Sequence, residues 1–197
     1  MSNILRAILQ AHGARRMKKL LWDSEFSRGR WDCLETTPGD CVYPYVEKYA
    51  NGGSILDVGC GSGNSGNELD PSAYRHYTGV DISGVAIERA RRRTSENGRG
   101  AKNCYVQSDM LSYVPSQRYD VVLFRDSIYY LPYGKIKAVL DRYSKYLKEH
   151  GVFIVRMDES GGKYTAIEHT IESNFDVVER YSAELTKVAV FVFRSRV

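Results

Sequence analysis

Long apolar runs are missing from this chain. The most continuous, such as Val121-Val122-Leu123-Phe124, fall far short of the roughly 20 residues a membrane span needs. Residues Met1 to Gln10 mix Ser, Asn, Arg and Gln with Ile and Leu, which excludes the apolar core and small-residue cleavage site of a signal peptide. A cytoplasmic protein with no membrane contact is expected. Cysteine is sparse: Cys33, Cys41, Cys60 and Cys104 form no C-x-x-C pair, so neither a disulfide scaffold nor a thiolate metal site is indicated. No set of Cys, His and carboxylates has metal-ligand spacing, and none of His12, His76, His150 and His169 stands in a general-base motif. No metal is expected.

What is present fits one globular unit. Of the 197 residues, 43% are hydrophobic and 26% charged, enough apolar surface to close a core and too balanced a charge for disorder. The net charge of +4 is concentrated in Arg15-Arg16-Met17-Lys18-Lys19 and in Arg89, Arg91, Arg92 and Arg93. Such runs can contact phosphate, but on a helix they more often form a solvated face. Nucleic acid is therefore the lesser reading.

Apolar Ile4, Leu5, Ile8 and Leu9, followed by Leu20, Leu21 and Trp22, recur at helical spacing. Asp23 to Asp40 reads as a loop with aromatic anchors, and a helix from about Asp40 to Ala50 tolerates Pro44 near its first turn. Residues 1–50 thus form an N-terminal helical or lid segment ahead of a main domain at 51–197. From Ser54 the pattern is regular. Strands are expected at Ser54–Val58, Tyr77–Asp81, Asn103–Gln107, Tyr119–Phe124, Val152–Arg156, Phe175–Tyr181 and Lys187–Phe193. Helices are expected at about Gly63–Leu69, Gly84–Glu96, Gly134–Glu149 and Lys163–Glu172. Alternation at this spacing predicts an α/β fold, a mostly parallel sheet with helices on both faces. No helix separates the last two strands, which can close the sheet as an antiparallel hairpin.

Ile55-Leu56-Asp57-Val58-Gly59-Cys60-Gly61-Ser62-Gly63 is a buried strand running into a glycine-rich turn, where the backbone can approach a ligand closely. The dinucleotide fingerprint G-x-G-x-x-G is not met, because Asn64 stands at its third glycine. Asp57, two residues before Gly59, would face a pyrophosphate with like charge but suits the ammonium of a sulfonium-bearing amino acid, so S-adenosylmethionine is favoured over a nicotinamide or flavin. Asp81 ends the second strand, placed to accept hydrogen bonds from ribose hydroxyls. Asp109 ends the third, placed to take an adenine amino group with Ile82 and Met110 flanking the ring. Taken singly, each acid also fits a helix N-cap or a surface aspartate; together, at successive strand ends, they point to one crevice.

This series resembles the class I S-adenosylmethionine-dependent methyltransferases, with their glycine motif at Asp57–Gly63, acidic ribose position at Asp81 and adenine position at Asp109. The resemblance runs from Ser54 to about Val197 and implies a seven-stranded, Rossmann-like sheet with an antiparallel last strand. It implies that Asp57, Gly59, Cys60, Gly61, Asp81, Ile82, Asp109, Met110 and Arg125 line the cofactor. The segment Asp126-Ser127-Ile128-Tyr129-Tyr130-Leu131 is similar to small bacterial methyltransferases of sugars, lipidated intermediates and natural products, as is Phe26-Ser27-Arg28-Gly29-Arg30-Trp31-Asp32. Asp126, Tyr129 and Tyr130 are the candidates for acceptor contact or base. Tyr129 and Tyr130 equally fit core packing under the sheet. Trp22, Arg28 and Trp31 fit either a lid over the acceptor or a staple to the sheet's flank.

The Asn/Asp-Pro-Pro-Tyr pattern of amino-nitrogen methyltransferases is absent, and no Pro-Cys dipeptide supports cytosine C5 chemistry. An oxygen or nitrogen of a small-molecule acceptor is the leading target. An RNA or protein methyltransferase and a non-catalytic S-adenosylmethionine-binding module are the alternatives. The residues leave the acceptor's identity and the oligomeric state open.

Overall fold

Ile55, Leu56 and Val58, like Val121 to Phe124, are at most 1% exposed, so both strands are covered on both faces, the condition of a central parallel strand. The computed structural model describes residues 6, 10, 13–159, 163–183 and 185–196. Within it, β1 (Ser54–Val58), β2 (His76–Asp81), β3 (Asn103–Gln107), β4 (Tyr119–Arg125), β5 (Leu147–Asp158), β6 (Phe175–Ala183) and β7 (Val188–Ser195) form one sheet in the order β3-β2-β1-β4-β5-β7-β6. Strands β1 to β5 pair in parallel, and β7 runs antiparallel to both β5 and β6. The sheet is the expected Rossmann-like one.

Alternate residues of each strand serve opposite layers, as a two-residue period requires. Leu56, Val58, Val122 and Phe124 pack with Leu140 of α5 (Ile136–Ser144) and Ile167 and Ile171 of α6 (Tyr164–Asn174), numbering helices among the described residues. Ile55, Val121 and Leu123 pack on the other side with Val46 of α2 (Tyr43–Ala50) and Ile87 and Ala90 of α4 (Gly84–Glu96). The remaining helices are α1 (Arg15–Ser27) and the short α3 (Asn64–Glu68). Strand order reverses between β1 and β4, so a crevice opens beyond their carboxyl ends.

The structure corrects two sequence expectations. The stretch from Asp23 is helical up to Ser27, because Glu25 and Phe26 are buried and hold the last turn of α1 against the domain. The helix expected to run to Glu149 stops at Ser144: Tyr119 donates its amide to the carbonyl of Tyr146, and Leu147 already pairs with Tyr119 in the sheet. Tertiary pairing overrides the helical propensity of Lys145 to Glu149. The periodic Ile4, Leu5, Ile8 and Leu9 lie outside the described residues.

Candidate active site

The turn after β1 holds Gly59, Gly61 and Gly63 at φ of 83°, 53° and 78°, a region costly for any side-chain-bearing residue. A Cβ on Gly59 would also collide with Ser127 after β4. The amides of Gly59 and Cys60 both donate to the carbonyl of Val80, at 2.7 and 3.0 Å, which ties the turn to the end of β2. There Asp81 accepts from the Gly61 amide at 3.0 Å and from the Ser83 amide at 2.8 Å. Asp109, buried after β3, accepts from the Leu111 amide at 2.8 Å.

Asp57 is 1% exposed and accepts a 2.6 Å hydrogen bond from the Tyr77 hydroxyl on Oδ2, while its buried Oδ1 has no hydrogen-bond partner among the described residues. Burial raises its carboxyl to about 6, against the opposing pull of Tyr77, Ser65 and Arg125. Asp81 is likewise raised to about 6 by burial, with its backbone donors acting the other way.

One cleft collects Asp57, Gly59, Cys60, Gly61, Asp81, Ile82, Asp109, Met110, Arg125, Asp126, Tyr129 and Tyr130, every residue singled out from the sequence for the site. Trp22, Phe26 and Trp31 line it too, whereas Arg28 is exposed and stands apart. Trp22 meets the ring of Tyr130 edge-on at 4.7 Å and that of Trp31 at 5.7 Å, and Tyr129 meets Tyr130 at 4.7 Å. These rings form a roof over one end. Tyr129 also packs against the core, so the packing and the cleft readings both describe it.

Arg125 has partners the sequence did not foretell. Its Nη2 donates to Thr37 Oγ1 and Asp40 Oδ2, both at 2.7 Å, and its guanidinium lies over the ring of Tyr43 at 5.2 Å. Asp126 is ion-paired with Arg156 and holds φ at 52°, a left-handed conformation uncommon for a residue with a Cβ. Thr37, Asp40 and Arg156 were missed in the sequence. An arginine following each of two apolar runs, Arg125 after Val121–Phe124 and Arg156 after Val152–Val155, was the available signal.

Residues 55–151 match the family model described as a methyltransferase domain. Over that stretch the chain carries a methyltransferase domain, and its sheet is of the class I kind. The methyltransferase is 19% identical to a TehB-like S-adenosylmethionine-dependent enzyme of Corynebacterium glutamicum, with a TM-score of 0.69 over 88% of this chain and 98% of that one. It resembles the N-methyltransferase NodS of Bradyrhizobium japonicum, solved with S-adenosylhomocysteine, at 20% identity and a TM-score of 0.64, covering 87% and 88%. Among curated proteins it is 30% identical to the mRNA cap guanine-N(7) methyltransferase of Schizosaccharomyces pombe over 51% of this chain and 30% of that protein. It is 24% identical to the 27-O-demethylrifamycin SV methyltransferase of Amycolatopsis mediterranei, over 57% and 44%. The methyltransferase spans about a third of the length of the first such relatives.

S-adenosylmethionine is the cofactor of this family, and the residues fit it. The Oδ1 of Asp57, unpartnered among the described residues, suits an ammonium, and the positive-φ glycines leave the backbone bare. Among the described residues, no helix is long and apolar enough to cross a membrane.

Proposed function

We propose that this methyltransferase moves the methyl group of S-adenosylmethionine to an oxygen or nitrogen of a small molecule. The division of a single cleft carries the reading: one end is built from bare backbone and acids, the other is roofed by aromatic rings. When bound, the cofactor supplies a methyl carbon activated by its sulfonium. Asp57 holds the ammonium, with Gly59, Cys60 and Gly61 along the methionine chain. Asp81 takes the ribose hydroxyls, and Asp109 the adenine amino group between Ile82 and Met110. Arg125 acts by holding Thr37 and Asp40 against the strand end. Asp126, Tyr129 and Tyr130 face the acceptor, and Trp22, Phe26 and Trp31, from the segment expected at 1–50, exclude water.

A small acceptor is favoured over RNA by what the arginines of α4 do. Arg89 pairs with Asp32 and Glu35 at 2.6 and 2.9 Å, Arg91 donates to the Tyr105 carbonyl at 2.7 Å, and Arg93 donates to Ser62 and Asn64 at 2.9 and 2.6 Å. They staple the 32–37 segment, β3 and the glycine turn, and are not a phosphate-tracking face. The kinship to the rifamycin enzyme points the same way, and that to the cap enzyme the other. A transfer screen with methyl-labelled cofactor over sugar, phenol, amine and RNA pools should label the small-molecule pools. Label in RNA alone would overturn the acceptor class, and tight S-adenosylhomocysteine binding with no transfer anywhere would favour a non-catalytic module.

A further inference from the structure

Arg125 and Arg156 are partners in the β4–β5 ladder, so two guanidinium groups stand side by side where like charges repel. Two carboxylates hold them there. Asp40 accepts from Arg125 at 2.7 Å and lies 3.7 Å from Arg156 Nε, and Asp126 Oδ2 pairs with Arg156 Nη1. The Asp40 and Arg125 side chains are only 5% and 10% exposed, and all four residues line the cleft. Their charges cancel, so an ammonium or a carboxylate on the acceptor would bring an unmatched charge into a desolvated site. A neutral hydroxyl brings none.

The available base narrows the hydroxyl further. None of the described histidines, His76, His150 and His169, lines the cleft, and Lys18, which does, is coupled electrostatically to both Asp109 and Lys163. The quartet's own carboxylate, Asp126, is a weak base, and a weak base serves best where the proton it removes is already acidic. A phenolic hydroxyl ionises near 10, like that of tyrosine, whereas an alkyl hydroxyl is far less acidic.

Resting on the small-molecule reading above, we propose that the acceptor is a phenol, its ring against Trp22, Trp31 and Tyr130 and its hydroxyl at the Asp40–Arg125–Arg156–Asp126 quartet. As the phenol oxygen forms its bond to the methyl carbon, the O–H proton passes to Asp126 and the electron pair of the broken C–S bond stays on sulfur. The products are a methyl aryl ether, S-adenosylhomocysteine and a proton held by Asp126. Arg156 is a positioning residue that fixes that carboxylate, and burial lifts the Asp126 carboxyl above its ordinary range, strengthening it as a base.

The test uses three ligands with one ring: 4-methylphenol, 4-methylbenzyl alcohol and 4-methylbenzylamine. Calorimetry on the protein loaded with S-adenosylhomocysteine should show 4-methylphenol binding at least tenfold tighter than the amine. Labelled transfer should favour the phenol over the benzyl alcohol. Asp126→Asn should cut transfer to the phenol by about 100-fold or more, the scale of general-base catalysis, while leaving S-adenosylhomocysteine affinity within about twofold. Equal or tighter binding of the amine, transfer preferring the alkyl hydroxyl, or an Asp126→Asn protein of full activity would each overturn the phenol assignment while leaving the methyltransferase reading standing. Failure of S-adenosylhomocysteine to bind the unmodified protein would instead remove the reading on which it rests.

Discussion

The end of the cleft proposed for the nucleoside is made where three consecutive strands finish, with Asp57 inside the end of β1, Asp81 closing β2 and Asp109 just past β3. The acceptor end is assembled from Trp22, Asp40, Arg125, Asp126 and Arg156, which meet only when the N-terminal segment folds over the sheet. The first is held by backbone hydrogen bonds that the strands dictate, such as Gly61 to Asp81. The second is held by ion pairs and ring contacts between distant segments. A site built from local backbone should tolerate damage to the acceptor end, whereas the acceptor end should fail as a unit.

The sharpest way to break that contrast is Arg125→Ala. It leaves Asp40, 5% exposed, without its 2.7 Å partner, and breaking a buried pair costs about 3–5 kcal/mol of stability. Chemical denaturation should register that loss. Unchanged stability would mean the quartet does not hold the acceptor end together.

Next in size is Asp81→Ala, expected to weaken S-adenosylhomocysteine binding by about 1.5–3 kcal/mol, the range of a hydrogen bond to a charged group. Calorimetry would show it, with thermal unfolding unchanged if the nucleoside end is independent of the fold's stability. Unaltered affinity would remove Asp81 from the cofactor site.

Much of the nucleoside end was legible in the sequence because each of its residues sits at a fixed offset from a strand. Gly59 and Gly61 announced their backbone conformation, and the three acids announced a crevice. At the end proposed for the acceptor, Asp126, Tyr129 and Tyr130 follow β4 directly and can be placed from the sequence, but Asp40 and Arg156 are identified only by a tertiary contact. Arg89, Arg91 and Arg93 read as a solvated or phosphate-binding face, when their guanidinium groups in fact reach inward to carboxylates and carbonyls. Long side chains allow an outward-looking charge run to serve as internal staples.

Proton linkage separates the two ends again. On the proposed cofactor reading, Asp57 and Asp81, raised to about 6 by burial, must ionise to take an ammonium and ribose hydroxyls. Cofactor affinity should therefore be flat above about pH 7 and weaken as pH falls through 6, by at most about tenfold per unit for each carboxylate. The ligand-free fold has the opposite slope. A raised carboxyl contributes stability that is complete below its unfolded value near 4 and is lost as pH rises through about 6. A pH series of calorimetric titrations checks the first statement, and affinity that strengthens on acidification would contradict it.

The smallest effect is expected at Arg92, whose side chain is 69% exposed and lies 3.9 Å from Glu96. Arg92→Ala should change stability by less than about 0.5 kcal/mol, whereas Arg93→Ala, which removes the ties to Ser62 and Asn64 beside the glycine turn, should change it by more. Equal effects in thermal unfolding would return the helix to the solvated-face reading.

The central claim, that this cleft is built for a sulfonium amino acid joined to adenosine, is tested most directly by titrating the unmodified protein in one calorimeter series with S-adenosylhomocysteine and with NAD. The account predicts saturable binding of S-adenosylhomocysteine at one site per chain and no heat from NAD, whose pyrophosphate would meet the buried charge of Asp57. Saturable binding of NAD with none of S-adenosylhomocysteine would contradict it.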